Sequence, residues 1–124
     1  METKDTGNGT LESWTPEEVY QALEAGEICL IDVRTPQEYM FEHVEGAMLM
    51  PMSFFRAATL PGGVGKKVVL HCGSGVRSEK CAMEALNHGY DKIAHMGGGF
   101  GAWKEAKLPY IGTEMSSGAP KKVG

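Results

Sequence analysis

The chain has 124 residues, of which 42% are hydrophobic and 23% are charged, values that fit one globular domain with enough apolar side chains for a core. Its 16 acidic and 12 basic residues give a net charge of -4, which argues against a broad surface for nucleic acid or anionic membranes. Three cysteines at irregular spacing, with no CxxC motif, predict neither a disulfide framework nor a zinc site.

Targeting signals are not evident in the sequence. The first ten residues are polar where a secretory signal would be apolar, and no apolar run approaches the ~20 residues that a membrane span needs. These features predict a cytoplasmic protein with reduced cysteines. Residues 1–10 and 113–124 lack apolar periodicity and are predicted to be mobile tails on either side of one domain at 11–112.

Two helix starts of the same pattern flank the first apolar strand. Thr15 and Thr35 are each followed by proline, and three positions on by Glu18 and Glu38, which is the pattern of a capping box. The nearly unbroken apolar run at 28–33 lies between the two predicted helices. Such a run predicts a strand that is covered on both faces.

The remaining predicted elements continue the alternation of strands and helices. They are a short strand over 47–50, a helix over 53–59, a loop over 60–65, a strand over 67–71, a helix over 76–88, a strand over 91–95, a glycine turn over 97–99 and a helix over 100–106. This alternation predicts an α/β fold with a parallel sheet and helices on both faces. In such sheets, functional side chains gather at the carboxyl ends of the strands.

Cys72 lies where a predicted strand ends and a predicted helix begins. Gly73 and Gly75 let backbone amides turn toward it, and Arg77 adds a positive charge. Inward amides, the helix dipole and the guanidinium all favour a thiolate, and the pKa of a cysteine can fall from ~8.5 to roughly 3.5–7.5 in such settings. We therefore predict that Cys72 is a nucleophile, although a cysteine taken without context is more often a small buried hydrophobe.

The other two cysteines and the histidine before the loop are predicted to be structural. Cys29 and Cys81 lie at apolar strand and helix positions, where cysteine serves as a core residue. His71 is the immediate neighbour of the predicted nucleophile, and adjacent side chains of a strand point to opposite faces. It is therefore poorly placed to act as the base of a cysteine protease.

Three charged residues near the end of the first apolar strand are predicted to brace the site. Asp32 is predicted to accept hydrogen bonds from the backbone or from Arg34, because a bare carboxylate beside the thiol would raise the pKa of that thiol. Arg34 and Glu38 are four residues apart across a helix start, and this spacing predicts an ion pair between them.

Four ordered motifs resemble those of the single-domain rhodaneses, a family of sulfurtransferases. They are LIDVRTPQEY at 30–39, HVEGA at 43–47, CGSGVRS at 72–78 and GGFGAW at 98–103. The resemblance extends from about residue 11 to about residue 111. It implies a single rhodanese-like domain with a five-stranded parallel sheet, whose first strand lies near residues 11–14.

The resemblance also implies the reaction and the site. Cys72 would attack the outer sulfur of an anionic donor, and the resulting persulfide would pass its sulfur to cyanide or to a thiol, including a protein thiol. No metal or organic cofactor is implied, and neither a nucleic acid nor a membrane is expected as a partner. The Arg77 side chain would orient the oxyanion of the donor. The anionic sulfur would be held by the backbone amides of Gly73, Ser74, Gly75, Val76 and Arg77.

Alternatives stay open for both the donor and the reaction. The neutral residues Gly73 and Ser74 resemble the loop of mercaptopyruvate sulfurtransferases, whereas Arg77 differs from it, so thiosulfate and a mercaptopyruvate-like donor are both candidates. Phosphatases and arsenate reductases of this fold separate cysteine and arginine by five residues, whereas four separate them here. This tighter loop favours a single sulfur over a tetrahedral oxyanion. A non-catalytic interaction or sulfur-relay module is the third reading.

Overall fold

The computed structural model describes residues 1–61 and 65–124. The loop predicted at 60–65 falls partly on residues 62–64, which lie outside the described residues. The helices and strands are β1 (Glu2–Asp5), β2 (Thr10–Trp14), α1 (Pro16–Glu24), β3 (Ile28–Asp32), α2 (Pro36–Phe41), β4 (Met48–Leu49), 3-10 helices at Met52–Phe54 and Ala57–Thr59, β5 (Lys67–His71), α3 (Val76–His88), β6 (Lys92–Met96), α4 (Gly99–Glu105), β7 (Tyr110–Thr113) and β8 (Pro120–Val123).

The central sheet has six strands in the order β1-β2-β6-β5-β3-β4. The five strands from β2 to β4 pair in parallel, and β1 adds to the edge by antiparallel pairing with β2. The predicted five-stranded parallel sheet is therefore confirmed, including its first strand, which is β2. The sixth strand was not predicted.

Alternate residues of the central strands enter two separate core clusters. Ile31 and Leu70 belong to the cluster that contains the buried residues of α3. Their neighbours Leu30 and Val69 belong to the cluster that contains residues of α1 and α4. Because successive strand side chains point to opposite faces, helices cover both faces of the sheet, as predicted. In the described residues, no helix combines the length and apolar character needed to cross a bilayer.

Both predicted capping boxes are present. At the start of α1, the Thr15 hydroxyl accepts from the Glu18 amide at 3.2 Å and the Glu18 carboxylate accepts from the Thr15 amide at 2.8 Å. At the start of α2, Thr35 and Glu38 make the same two bonds at 3.2 and 3.0 Å. An N-cap of this kind contributes about 1 kcal/mol to helix stability.

The single helix predicted over 53–59 is wrong. The structure has two short 3-10 helices instead, with extended backbone at Phe55 and Arg56 between them. Phe55 and Ala57 are both buried, and side chains two residues apart share one face only when the backbone between them is extended. Burial of these side chains therefore takes precedence over local helix propensity.

The two terminal segments predicted to be tails contain strands. Glu2–Asp5 forms β1 on the edge of the central sheet, and Pro120–Val123 forms β8, which pairs antiparallel with β7. Most of these residues are exposed, so backbone hydrogen bonds rather than apolar burial define the strands. This is why hydrophobic periodicity does not reveal them. The mobility of these segments and the domain limits at 11 and 112 stay predictions.

Candidate active site

Cys72 follows the last residue of β5, a central strand of the sheet, and α3 begins four residues later. Its side chain is 0% exposed. The short connection turns at Gly75, whose φ of +105° lies in the left-handed region that favours glycine. The cysteine therefore occupies the carboxyl end of a parallel strand, where this class of fold places functional residues.

Hydrogen bonds from the following helix start surround the Cys72 sulfur. The amides of Gly75 and Ser78 donate to Sγ at 3.0 and 3.3 Å, and the Ser78 hydroxyl lies 3.6 Å from Sγ. The Ser78 amide and hydroxyl were not predicted, because Ser78 lies six residues after the cysteine. Within the described part of the chain, no hydrogen bond joins Sγ to the amide of Gly73, Val76 or Arg77.

These contacts decide the ionisation of the thiol. Burial raises the pKa of Cys72, but hydrogen bonds from the Ser78 side chain and from the amides of Ser78, Gly75 and Ser74 lower it by more. The net effect is a pKa below that of a free cysteine, since each of these bonds is stronger to the thiolate than to the thiol. The site therefore favours the nucleophilic form of the sulfur.

Ser78 is also connected to a buried histidine. Its Oγ lies 2.9 Å from Nδ1 of His95 on β6, and the other ring nitrogen, Nε2, lies 3.2 Å from Oγ of Ser13 on β2. Burial lowers the pKa of His95, and Glu79 offsets part of that effect, so the ring is neutral at pH 7. Sequence reasoning did not identify this chain of contacts.

The glycine turn before α4 supports the loop from the other side. The amides of Phe100 and Gly101 donate to the carbonyls of Cys72 and Gly73 at 2.8 and 3.0 Å. A Cβ atom at Gly99 would lie 2.6 Å from the carbonyl carbon of Gly73. Only glycine permits this approach of two backbone segments, and the approach fixes the position of the loop.

Arg77 forms an ion pair with Glu38 of α2. Its two terminal nitrogens, Nη1 and Nη2, donate to the two carboxylate oxygens at 2.7 and 3.0 Å. The hydrogen bond to Arg77 lowers the pKa of Glu38 to about 2, so the pair is charged at neutral pH. The predicted pair of Arg34 with Glu38 is wrong, because Arg34 precedes the N-cap and is not on the helix.

Asp32 and Arg34 form a buried brace beneath the site. The Arg34 amide, Nε and Nη2 donate to the Asp32 carboxylate at 2.8 to 3.1 Å, which confirms that Asp32 accepts hydrogen bonds from Arg34. His71 Nε2 lies 3.5 Å from the same carboxylate, and His71 Nδ1 lies 3.2 Å from the carbonyl oxygen of Cys72. Burial lowers the pKa of His71. The histidine is therefore neutral and contacts the backbone of the site rather than its sulfur.

The other two cysteines differ from Cys72 in their surroundings. Cys81 is buried in the same core cluster, and burial raises its pKa to about 12, so it remains a thiol. Cys29 is a half-buried residue of β3. Among the described residues, no group of three or more His, Cys, Asp or Glu side chains is arranged to hold a metal ion.

A small cleft of about 150 Å³ opens beside the loop, and Arg77, Arg34 and Met52 are among the residues that line it. A larger cavity of about 460 Å³ is lined by other parts of the fold, including Tyr20 and Trp103, and by none of the loop residues 72–78. The smaller cleft is relevant to the site because Arg77 lines it. Its volume accommodates only a small ligand.

The fold and the site define an α/β domain that presents an ionisable thiol at the carboxyl end of a central parallel strand. A family model described as a rhodanese-like domain matches residues 15–106. The chain belongs to the rhodanese-like domain family, which supports a sulfurtransferase type of protein.

Individual relatives agree with this family. The chain is 35% identical over 100 residues to a probable adenylyltransferase/sulfurtransferase MoeZ of Mycobacterium tuberculosis, covering 77% of this chain and 25% of MoeZ. It resembles the crystal structure of a rhodanese-like domain protein from Staphylococcus aureus, with a TM-score of 0.64, 28% identity and coverage of 74% and 90% of the two chains.

A further similar solved structure is described as having a different activity. It is a protein of unknown function from Rhodopseudomonas palustris, described as a possible tyrosine phosphatase, with a TM-score of 0.68, 26% identity and coverage of 79% of this chain and 83% of that one. The chain spans only 25% to 55% of the length of the curated relatives MoeZ and a protein of Synechocystis.

Proposed function

We propose that this domain transfers sulfane sulfur from a small anionic donor, through a persulfide on Cys72, to cyanide or a thiol. The observation that carries this proposal is that the buried sulfur of Cys72 accepts hydrogen bonds from two backbone amides and that its pKa is lowered. Membership of the rhodanese-like domain family and the sulfurtransferase part of the MoeZ name support it.

The two chemical steps follow from a nucleophilic sulfur. The Cys72 thiolate attacks the outer sulfur of the donor, a sulfur–sulfur bond forms, and the remainder of the donor leaves with the electron pair of the broken bond. With thiosulfate, the leaving group is sulfite. An acceptor thiolate then attacks the outer sulfur of the persulfide, and Cys72 leaves as a thiolate.

The loop amides that do not bond to Cys72 Sγ are proposed to hold the outer sulfur. Those of Gly73, Val76 and Arg77 lie within the same six-residue loop, and the helix dipole at the start of α3 favours negative charge there. An anionic persulfide would need such donors. No metal or organic cofactor is part of this proposal.

The exposed surface beside the loop supports a protein thiol as the acceptor. Val76 of the loop is 59% exposed, and Met52, which is 40% exposed, lines the same cleft as Arg77. Exposed apolar side chains around a reactive loop favour contact with another protein over contact with a small hydrophilic acceptor. We therefore propose a protein thiol as the physiological acceptor and cyanide as an artificial one.

Phosphatase chemistry is the main rival, and the Rhodopseudomonas palustris structure keeps it open. Two features of the site disfavour it. Only four residues separate Cys72 from Arg77, and the Glu38 carboxylate occupies both terminal nitrogens of the arginine. Phosphoryl transfer needs the arginine as a bidentate donor to the transferred group, whereas in sulfur transfer Arg77 would contact only the part of the donor that leaves.

Intact mass after incubation with a donor tests the proposed function. We expect the protein to gain one sulfur atom from thiosulfate or from mercaptopyruvate and to lose it on addition of cyanide. The donor that works at the lower concentration identifies the preferred class. Hydrolysis of an aryl phosphate without sulfur uptake would assign the site to a phosphatase, and failure of both assays would assign it to an interaction module.

Glu38→Gln is predicted to make the protein a better acceptor of sulfur from thiosulfate. Arg77 lies against the loop, because a Cβ at Gly73 would be 3.2 Å from its Nη2, and loss of the carboxylate releases it for the donor. The pair is partly exposed, so the expected fall in the half-saturating thiosulfate concentration is modest, about two- to fivefold. Sulfur uptake at varied thiosulfate measures it.

The matched control for this prediction is Glu18→Gln. Glu18 has the same capping position on α1, and glutamine retains the capping role at both sites, so this variant should behave as the wild type. An unchanged or raised half-saturating concentration in Glu38→Gln would show that Arg77 does not bind the donor.

A further inference from the structure

A buried chain of polar side chains connects Cys72 to the far edge of the parallel strands, and the sulfur-transfer steps do not use it. It runs from Cys72 Sγ to Ser78 Oγ, then to the two ring nitrogens of His95, and ends at Ser13 Oγ. The first two residues are 0% exposed and His95 is 6% exposed, whereas Ser13 is only partly buried. These hydrogen-bonded side chains thus lead from a buried sulfur toward solvent.

The Ser78 hydroxyl can donate its proton either to His95 or to Cys72. It also lies 3.2 Å from the carbonyl oxygen of Gly75, but that oxygen already accepts from the Glu79 amide at 3.1 Å. The single proton of Ser78 can therefore point to His95 or to Cys72 without leaving a buried carbonyl unpaired.

Two complete hydrogen-bond patterns fit these distances. In the thiol state, Cys72 donates to Ser78, Ser78 donates to His95 Nδ1, and His95 Nε2–H donates to Ser13. In the thiolate state, His95 Nδ1–H donates to Ser78, and Ser78 donates to the Cys72 sulfur. Every bond between the sulfur and the ring reverses direction between the two states, and neither state leaves the serine or Nδ1 of the ring without a partner.

We propose that His95 is a positioning residue for Cys72. When the thiol ionises, the His95 ring accepts a proton from Ser78, and a proton is released at Ser13. The S–H bond of Cys72 breaks as an O–H bond forms on Ser78, and the original Ser78 proton forms an N–H bond at Nδ1. The proton at Nε2 then passes by way of Ser13 to water. One proton leaves the protein, no electrons are transferred, and the ring changes tautomer.

The groups around these polar side chains agree with the proposed role of His95. Within the part of the chain that the structure describes, Arg77 and Cys81 interact with Cys72 through charge, and Glu79 interacts with His95 in the same way. Arg77 stabilises the thiolate, Cys81 remains neutral, and burial keeps the His95 ring neutral and able to accept a proton at Nδ1. The route does not involve the Arg77 side chain, which pairs with Glu38.

The first test follows the tautomer of His95 by ring nitrogen NMR while Cys72 is titrated. We expect the ring to change from the Nε2–H to the Nδ1–H tautomer with the midpoint of the Cys72 ionisation, and to lose this transition in Cys72→Ser. A ring that keeps one tautomer through the ionisation of Cys72 would overturn the proposal. This measurement needs only the wild-type fold and Cys72→Ser.

The second test compares alkylation of Cys72 by iodoacetamide across pH, with the modified peptide resolved by mass. Both His95→Asn and Ser78→Ala are expected to shift the profile to higher pH and to slow alkylation at pH 7 by about five- to tenfold, since one pKa unit corresponds to about tenfold. The double variant should lose no more than Ser78→Ala alone, because both residues act in one chain. His88→Asn, an exposed histidine of α3, is the control.

An unshifted profile in His95→Asn would also overturn the proposal. The inference rests on the proposed nucleophilic role of Cys72, yet neither test uses a sulfur donor. Sulfur uptake can therefore fail while the tautomer switch is observed, which would reject the proposed function alone. The opposite outcome would reject only the role of His95.

Discussion

Cys72→Ser is expected to lose sulfur uptake from any donor by roughly a thousandfold or more, because the covalent step has no other nucleophile to use. A serine hydroxyl at this position would be held by the same amides but would not ionise at neutral pH. Intact mass after incubation with thiosulfate and with mercaptopyruvate measures the loss directly. The gain of one sulfur atom should be absent at all donor concentrations.

The other two cysteines provide the matched controls for this result. Cys81→Ala removes a thiol whose pKa is raised to about 12 by burial, and Cys29→Ala removes a half-buried thiol from β3. Both variants should keep sulfur uptake within about twofold of the wild type, provided that they are folded. Sulfur uptake that is retained by Cys72→Ser but lost in Cys81→Ala would place the persulfide on Cys81 and reject the proposed mechanism.

Arg34→Met is expected to lower the free energy of unfolding by about 3–5 kcal/mol, because it leaves the Asp32 carboxylate buried without its partner. Asp32 is 0% exposed and accepts four hydrogen bonds from Arg34, one of which comes from the backbone and survives the substitution. Urea unfolding at constant m value measures the loss. The exposed Arg56 provides the control Arg56→Met, which should cost less than about 0.5 kcal/mol.

A second substitution separates the buried charge from the lost packing. Asp32→Asn in the Arg34→Met background removes the uncompensated carboxylate, so the double variant should be more stable than Arg34→Met alone. A double variant that is no more stable than Arg34→Met would show that the buried charge is not the cause, and that Arg34→Met loses stability through packing, for example against the Phe100 ring 4.6 Å away.

The brace also explains why a histidine next to the nucleophile takes no part in the proposed chemistry. His71 lies 3.5 Å from Asp32 at its Nε2 and is fully buried, so its side chain faces the brace rather than the loop. The histidine that reaches the sulfur is instead His95, which comes from the neighbouring strand β6 and acts through Ser78.

Local sequence patterns determined the framework of this protein. The two capping boxes at Thr15 and Thr35 depend on residues three positions apart, and the burial of β3 depends on one apolar run, so neither needs information from elsewhere in the chain. The alternation of strands and helices is sufficient to predict a parallel sheet with helices on both faces. It also places Cys72 at the end of a central strand, and therefore at a site.

Only the tertiary structure decided which polar groups meet. Arg77 pairs with Glu38, 39 positions away, rather than leaving Glu38 to Arg34, because Arg34 lies before the helix and its side chain is held by Asp32. His95 reaches Ser78 across 17 positions and Ser13 across 82. Edge strand β1 likewise depends on a free sheet edge rather than on its own apolar pattern. Periodicity encodes burial, whereas a hydrogen-bond partner depends on which strands and helices become neighbours, and that is fixed only when the sheet is assembled.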